Sequence, residues 1–236
     1  MPDHLAKQHR KSSVDRHEVL VSPLHLPGTL SIPQKAYSLV IFAHGSGSSR
    51  FSPRNMQVAE ALNESGCATL LFDLLRPGEE EANHRAKVFD IPLLAERLVD
   101  AVHWVDHASV LQNEPIGLFG ASTGAAAALV CAAKLGPRIG AVVSRGGRPD
   151  MAGDALAAVR APTLLIVGGA DHGVIELNER AFARLKGPRE LVIVPGATHL
   201  FPERGALEQV IGHAERWFRT HLGHGDARES RTKQEQ

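Results

Sequence analysis

Hydrophobic positions along this chain come in short unbroken runs separated by longer amphipathic stretches. Residues 37–43 (YSLVIFA), 67–75 (CATLLFDLL), 116–119 (IGLF), 139–144 (IGAVVS), 163–169 (TLLIVGG) and 190–194 (ELVIV) are the apolar runs. Near-continuous apolarity of this length predicts strands covered on both faces. Two more alternating runs, 17–22 and 26–32, lie beside a Pro-Gly turn signal and predict two shorter strands at the start. Between the strands, 54–64, 92–107, 175–185 and 203–221 predict helices, and Leu94, Leu98, Val102 and Val105 form one stripe along the second of these. Alternating strands and helices of this kind predict an α/β fold: a mostly parallel sheet with helices on both faces. The polar segments 1–15 and 222–236 lack apolar periodicity and are expected to be a flexible arm and a disordered tail around a single domain, 16–221.

Composition narrows the class. With 236 residues and 43% hydrophobic side chains, the chain fills a core without a disulfide or metal staple. Lysine plus arginine equals aspartate plus glutamate at 26 each, so there is no bulk electrostatic grip on nucleic acid or an anionic membrane. The two cysteines, Cys67 and Cys131, sit in apolar segments and read as small buried side chains. The polar N-terminal stretch does not read as a secretory signal, and the longest purely apolar run, 125–133, is far short of a membrane span. The expectation is a cytoplasmic monomer or homodimer with no cofactor and no metal. His103 and His107 have the spacing of a zinc pair but no local third ligand, so they read as solvated or capping histidines.

In open parallel sheets, ligands bind where strands end at their carboxyl side. The residues just after the predicted strands are His44-Gly45-Ser46-Gly47, Asp73, Ser122, Arg145-Gly146-Gly147-Arg148, Asp171-His172 and Gly196-Ala197-Thr198-His199. A serine hydroxyl is a poor nucleophile until a base takes its proton, and the usual base is a histidine oriented by a carboxylate. Ser122, Asp171 and His199 supply the three types from three strand ends. Ser122 also lies between Gly120 and Gly124, at the junction of a buried strand with the alanine-rich stretch 125–130. A sharp strand-to-helix turn needs small residues at both flanking positions. The alternative is a tight turn that happens to contain serine. The backbone N–H groups of Thr123 and Ser46 are the expected donors to an oxyanion. His44 reads as a residue that fixes its loop, and Asp73 as a loop anchor.

The segments FAHGSG, GLFGASTGA, LLIVGGADHGV and VPGATHLF, spread over residues 37–201, resemble the α/β-hydrolase superfamily and, within it, the capless dienelactone hydrolase-like branch. That resemblance implies an α/β-hydrolase fold of seven or eight strands, one antiparallel, with a cofactor-free site. It implies Ser122 as nucleophile, His199 as base, Asp171 as orienting acid, and Thr123 and Ser46 as the oxyanion hole. Dienelactone hydrolase itself uses cysteine as nucleophile, so serine here favours a general ester. VVSRGGRPDMAG, residues 142–153, is also similar to a segment of dienelactone hydrolase-like proteins that are sometimes fused to phosphoribosyltransferases; this sequence shows no such second domain.

Residues 144–163 leave room for a turn and one short helix, about 151–160, so no lid domain is expected. An open site suits small or polar substrates. Arg145 and Arg148 are candidate substrate-binding residues, because an arginine fork clamps carboxylate or phosphate. Their alternative is pairing with Asp150, Asp73 or Asp154. Arg50 and Arg54 carry the same reading more weakly, and His172 is a candidate pocket residue. Asp150 is a rival to Asp171 as the acid.

The leading expectation is a serine hydrolase of small carboxylic esters, lactones or thioesters. One alternative is acyl transfer or perhydrolysis on the same triad. Another is a non-catalytic binding protein that keeps the fold.

Overall fold

The computed structural model describes residues 13–79, 87–108 and 111–223. Eight strands form one sheet: β1 (Val14–Val21), β2 (Leu26–Pro33), β3 (Ser38–Ala43), β4 (Cys67–Phe72), β5 (Ile116–Ala121), β6 (Ile139–Arg145), β7 (Thr163–Gly168) and β8 (Arg189–Val194). Their order across the sheet is β1-β2-β4-β3-β5-β6-β7-β8. Strand β2 runs antiparallel to both neighbours, and every other pairing is parallel. This is the mostly parallel, doubly covered sheet expected from the apolar runs. Strands β3, β4, β5 and β7 are buried at every position, as their unbroken apolarity requires.

Among the described residues, five helices cover the sheet: α1 (Pro53–Glu64), α2 (Ile91–His107), α3 (Thr123–Leu135), α4 (His172–Arg184) and α5 (Ala206–Leu222). One core layer joins the sheet to α2, α3 and α4, and the other joins it to α1 and α5. Helix α3 is apolar nearly all round, with Ala125, Ala126, Ala127 and Ala128 fully buried. Such a helix belongs inside a fold, and its small side chains let it lie close to the sheet. Asp90 caps α2 by accepting the Leu93 N–H at 3.0 Å.

Several boundaries differ from expectation. Strand β1 starts at Val14, so Val14 and Asp15 pair with β2 instead of belonging to an arm. The arm's remaining residues 1–12, and residues 80–86 of the charged loop, lie outside the described residues. Leu222 is 1% exposed and packs beside Gly117 and Gly140, so it belongs to the core and not to the tail; residues 224–236 also lie outside the description. The expected helix at 151–160 is a 3-10 segment, Pro149–Ala158, broken at Gly153, whose φ is 54°. Helix α5 starts at Ala206 instead of 203, because Glu203 turns back to bond Thr198 and Gly205 takes a left-handed conformation. The connection from β6 to β7 holds only the 3-10 segment, so no lid is inserted there.

Candidate active site

The parallel strands deliver Ser122, Asp171 and His199 to the same end of the sheet, after β5, β7 and β8. Ser122 has φ 50° and ψ −122°, a strained conformation for a residue with a side chain. Two flanking glycines make this turn possible. A Cβ at Gly120 would lie 2.4 Å from Ala125 Cα, and one at Gly124 would lie 2.2 Å from the Ala43 carbonyl oxygen. Hydrogen bonds hold the serine backbone on both sides: its N–H donates to the Arg145 carbonyl (3.3 Å), and its carbonyl accepts from Ala125 (3.1 Å) and Arg148 (3.0 Å).

Asp171 is the N-cap residue of α4, yet its carboxylate does not cap the helix. It accepts a hydrogen bond from His199 Nδ1 at 2.7 Å. Proton placement on Nδ1 leaves Nε2 with a lone pair, as a general base for serine requires. The loop after β6 joins the two halves of the arrangement. Gly146 has φ 50°, and a Cβ there would stand 2.7 Å from the His199 carbonyl oxygen and 3.7 Å from its Nδ1. The same four-residue segment, 145–148, therefore touches both the serine and the histidine. The His199 loop is braced by Thr198 Oγ1, which donates to Glu203 Oε1 at 2.6 Å, and by buried Phe201, held at φ 55°.

The loop after β3 lies against the serine from the other side, and a Cβ at Gly45 would meet Ser122 Cβ at 3.0 Å. His44 fixes this loop: Nδ1 donates to the Gly45 carbonyl and Nε2 accepts from Leu74 N–H, both at 3.0 Å. The Ser46 N–H donates to Thr123 Oγ1 at 2.9 Å. The N-cap side chain of α3, Ser122, makes no capping hydrogen bond. The first-turn N–H groups of a helix have no intrahelical partner, and Thr123 N–H is one of these.

The structure separates the candidate arginines. Arg148 forms a two-pronged pair with Asp150, with Nε and Nη2 each 2.8 Å from a carboxylate oxygen. That bond raises the Arg148 pKa above its ordinary value and occupies Asp150, the rival acid. Arg50 pairs with Asp73, which also accepts the Arg50 N–H, so Asp73 anchors this loop. Arg145 differs. It is 6% exposed, Nη2 donates to Asn55 Oδ1 at 3.1 Å, and among the described residues Nε and Nη1 are buried without partners. Burial, with nearby Arg54 adding repulsion, pushes it down to about 10. His172 is exposed at the start of α4. His107 Nδ1 bonds the His103 carbonyl at 2.7 Å. Among the described residues, no group of three or more His, Cys, Asp or Glu side chains is placed to hold a metal ion, and no helix is long and apolar enough to cross a membrane.

Sequence reading missed three contributors: the Thr123 hydroxyl, Gly146 beneath His199, and Asn55 against Arg145. Gly146 was visible as part of a Gly-Gly pair after a strand. The other two carry no local signal.

Fold and site together define an α/β hydrolase with a serine at a strand-to-helix elbow. The chain belongs to the dienelactone hydrolase family, whose model matches residues 26–221. It is similar to the crystal structure of a dienelactone hydrolase from Anabaena variabilis, with 52% identity, a TM-score of 0.85, and coverage of 90% of this chain and 99% of that one. Est1E from Butyrivibrio proteoclasticus shares the fold at 18% identity and a TM-score of 0.72, covering 88% of this chain and 98% of its own. Two Mycobacterium tuberculosis proteins, from strains CDC 1551 and H37Rv, carry the provisional name phosphoribosyl transferase and are 57% identical over 205 residues. That match covers 87% of this chain and 46% of each relative, so the chain spans about half their length.

Proposed function

We propose that the protein is a serine hydrolase of small carboxylic esters, lactones or thioesters. The observation that carries this is the His199–Asp171 bond at 2.7 Å, set at the same sheet end as a strained Ser122. Ser122 Oγ attacks the substrate carbonyl carbon while His199 Nε2 takes its proton. The carbonyl oxygen becomes an oxyanion held by the N–H groups of Thr123 and Ser46. Collapse of the tetrahedral intermediate breaks the bond to the leaving group, which takes the proton from His199 and leaves an acyl-serine. Water then attacks, giving a proton to His199, and the acid leaves as Ser122 recovers its proton. Asp171 holds the imidazole tautomer and stabilises the imidazolium.

Arg145, Arg148 and His172 are placed on the substrate side in the same reading. Arg148 is held by Asp150, so Arg145 is the stronger candidate for favouring a substrate with a carboxylate or phosphate. Its support is a buried guanidinium with no carboxylate partner among the described residues. A small-molecule ester is the expected partner, without nucleic acid, for a monomer or homodimer. The cytoplasm fits two free buried thiols, Cys67 and Cys131, since reducing compartments keep such thiols reduced.

The test is hydrolysis of p-nitrophenyl acetate and butyrate by the wild type and Ser122→Ala. The expected result is a burst and steady turnover for the wild type, with the variant at background. Equal turnover by both proteins would remove Ser122 from the chemistry.

A further inference from the structure

The residue that follows the nucleophile contributes more than its amide. The Ser46 N–H, one of the two oxyanion donors in the reading above, is engaged at rest. It donates to Thr123 Oγ1 at 2.9 Å. Thr123 is 3% exposed, so water does not compete freely for this bond. The bond spans 77 residues of sequence and ties the loop after β3 to the first turn of α3. Other contacts also hold the loop: His44 to Leu74 just past β4, Arg50 to Asp73, and the bare α-carbon of Gly45 against Ser122. Gly47, with φ 67°, carries the loop away into a turn closed by Ser48 N–H on the Gly45 carbonyl at 3.2 Å.

From this geometry we infer that the Thr123 hydroxyl is a positioning group for the oxyanion hole. One residue then sets both donors, the first through its own N–H and the second through its side chain. At rest the hydroxyl satisfies Ser46 N–H and keeps it aimed at the elbow. When the tetrahedral intermediate forms, its negative oxygen is a stronger acceptor than a neutral hydroxyl and takes that N–H over. The exchange costs little reorganisation, because the donor is already held beside its new acceptor. Alanine or valine at position 123 supplies the same amide but no acceptor, so the loop donor loses its fixed position.

The inference rests on Ser122 being the nucleophile, and the experiment separates the two claims. Wild type, Thr123→Val and Thr123→Ser are first titrated with a fluorophosphonate probe to count competent serines. The value of kcat per labelled site and KM are then measured on p-nitrophenyl acetate, with inhibition by phenylboronic acid, whose serine adduct mimics the tetrahedral intermediate. Outright loss of an oxyanion donor lowers kcat about 10²–10³-fold, so loss of its positioning group is expected to lower it roughly tenfold. The expected pattern for Thr123→Val is that loss in kcat per site with KM nearly unchanged, boronate inhibition weakened by a similar factor, and most of the loss recovered in Thr123→Ser. A folding defect alone reduces the number of labelled sites and leaves kcat per site intact. The inference is overturned if Thr123→Val keeps kcat per site within twofold of wild type, or if Thr123→Ser falls as far as Thr123→Val. Absence of probe labelling at Ser122 in the wild type overturns the underlying serine reading instead.

Discussion

Asp171 occupies the N-cap of α4, but its carboxylate bonds His199 Nδ1 at 2.7 Å and leaves the helix uncapped. An aspartate at this position ordinarily accepts a hydrogen bond from the N2 or N3 amide, and loss of such a cap costs about 1 kcal/mol. Here that local stabilisation is given up for the imidazole. The consequence is a clean separation of stability from activity. Asp171→Asn is expected to keep its thermal midpoint within a few degrees while kcat for ester hydrolysis falls roughly 10³–10⁴-fold, through loss of the correct histidine tautomer. Asp150→Asn, which breaks only the pair with Arg148, is expected to hold kcat within a few-fold. Steady-state kinetics on both variants check the assignment, and a larger loss in Asp150→Asn would make Asp150 the acid.

Glycine substitutions distinguish the elbow from ordinary helix. A Cβ at Gly124 would lie 2.2 Å from the Ala43 carbonyl oxygen, a backbone atom that cannot swing away. Gly124→Ala is expected to destabilise the protein by at least about 3 kcal/mol, at the severe end for overpacking. Gly212, within α5, has nothing within 4 Å of its added Cβ. Gly212→Ala is expected to stabilise by about 0.5–1 kcal/mol, since alanine orders into a helix at lower entropic cost. Urea midpoints of the two variants give the comparison. Equal effects at the two positions would mean the elbow is looser than its contacts imply.

The layout of this fold was readable because its interior strands are buried on both faces and its catalytic candidates follow strand ends. Ser122 carried a local signal in its flanking glycines, and Asp171 and His199 became meaningful through their order along a parallel sheet. The arginines did not. Nothing local distinguishes Arg148, which pairs two residues away with Asp150, from Arg145, which bonds Asn55 at a separation of 90 residues. Long-range side-chain partners depend on the packing of α1 against the sheet, and no periodicity encodes that. The late start of α5 was hidden for a similar reason: Glu203 is a good helix former, but its carboxylate is engaged by Thr198. The kink at Gly153 shows the same limit, since a 3-10 segment repeats too few turns to leave a pattern.

In the proposed function, Arg145 couples substrate choice to stability. A buried charge without a carboxylate partner costs free energy, and neutral replacements of similar volume often stabilise. Arg145→Met removes that charge, but it also strips Asn55 Oδ1 of its donor, which offsets part of the gain. The expected net effect is a stabilisation of about 1 kcal/mol in urea unfolding. The same variant is expected to raise KM for esters with a free carboxylate while leaving KM for neutral p-nitrophenyl esters unchanged. A variant that loses stability would point to a structural role, and one with unchanged discrimination would remove Arg145 from substrate choice.

Glu79 gives the fold one source of acid sensitivity. Burial by itself raises the pKa of this carboxyl, but the Arg76 N–H (2.8 Å), Lys87 (3.0 Å) and Arg97 (3.6 Å) outweigh it and hold the group below the usual carboxylate range. A folded-state pKa below the unfolded value means that the unfolded chain binds the proton more tightly. The contribution of Glu79 is therefore fully present above the unfolded carboxylate pKa and fades as pH falls through the lower folded value. Protonation also leaves Arg97, 6% exposed with Nε and Nη1 unpartnered among the described residues, without its charge partner at this position. Glu79→Gln is expected to be less stable than wild type at pH 7, with the gap narrowing steadily as pH drops below about 4.5, toward and past the folded pKa. Thermal midpoints of the two proteins between pH 3 and 7 measure this gap, and one that stays constant over the whole range would place the acid response elsewhere.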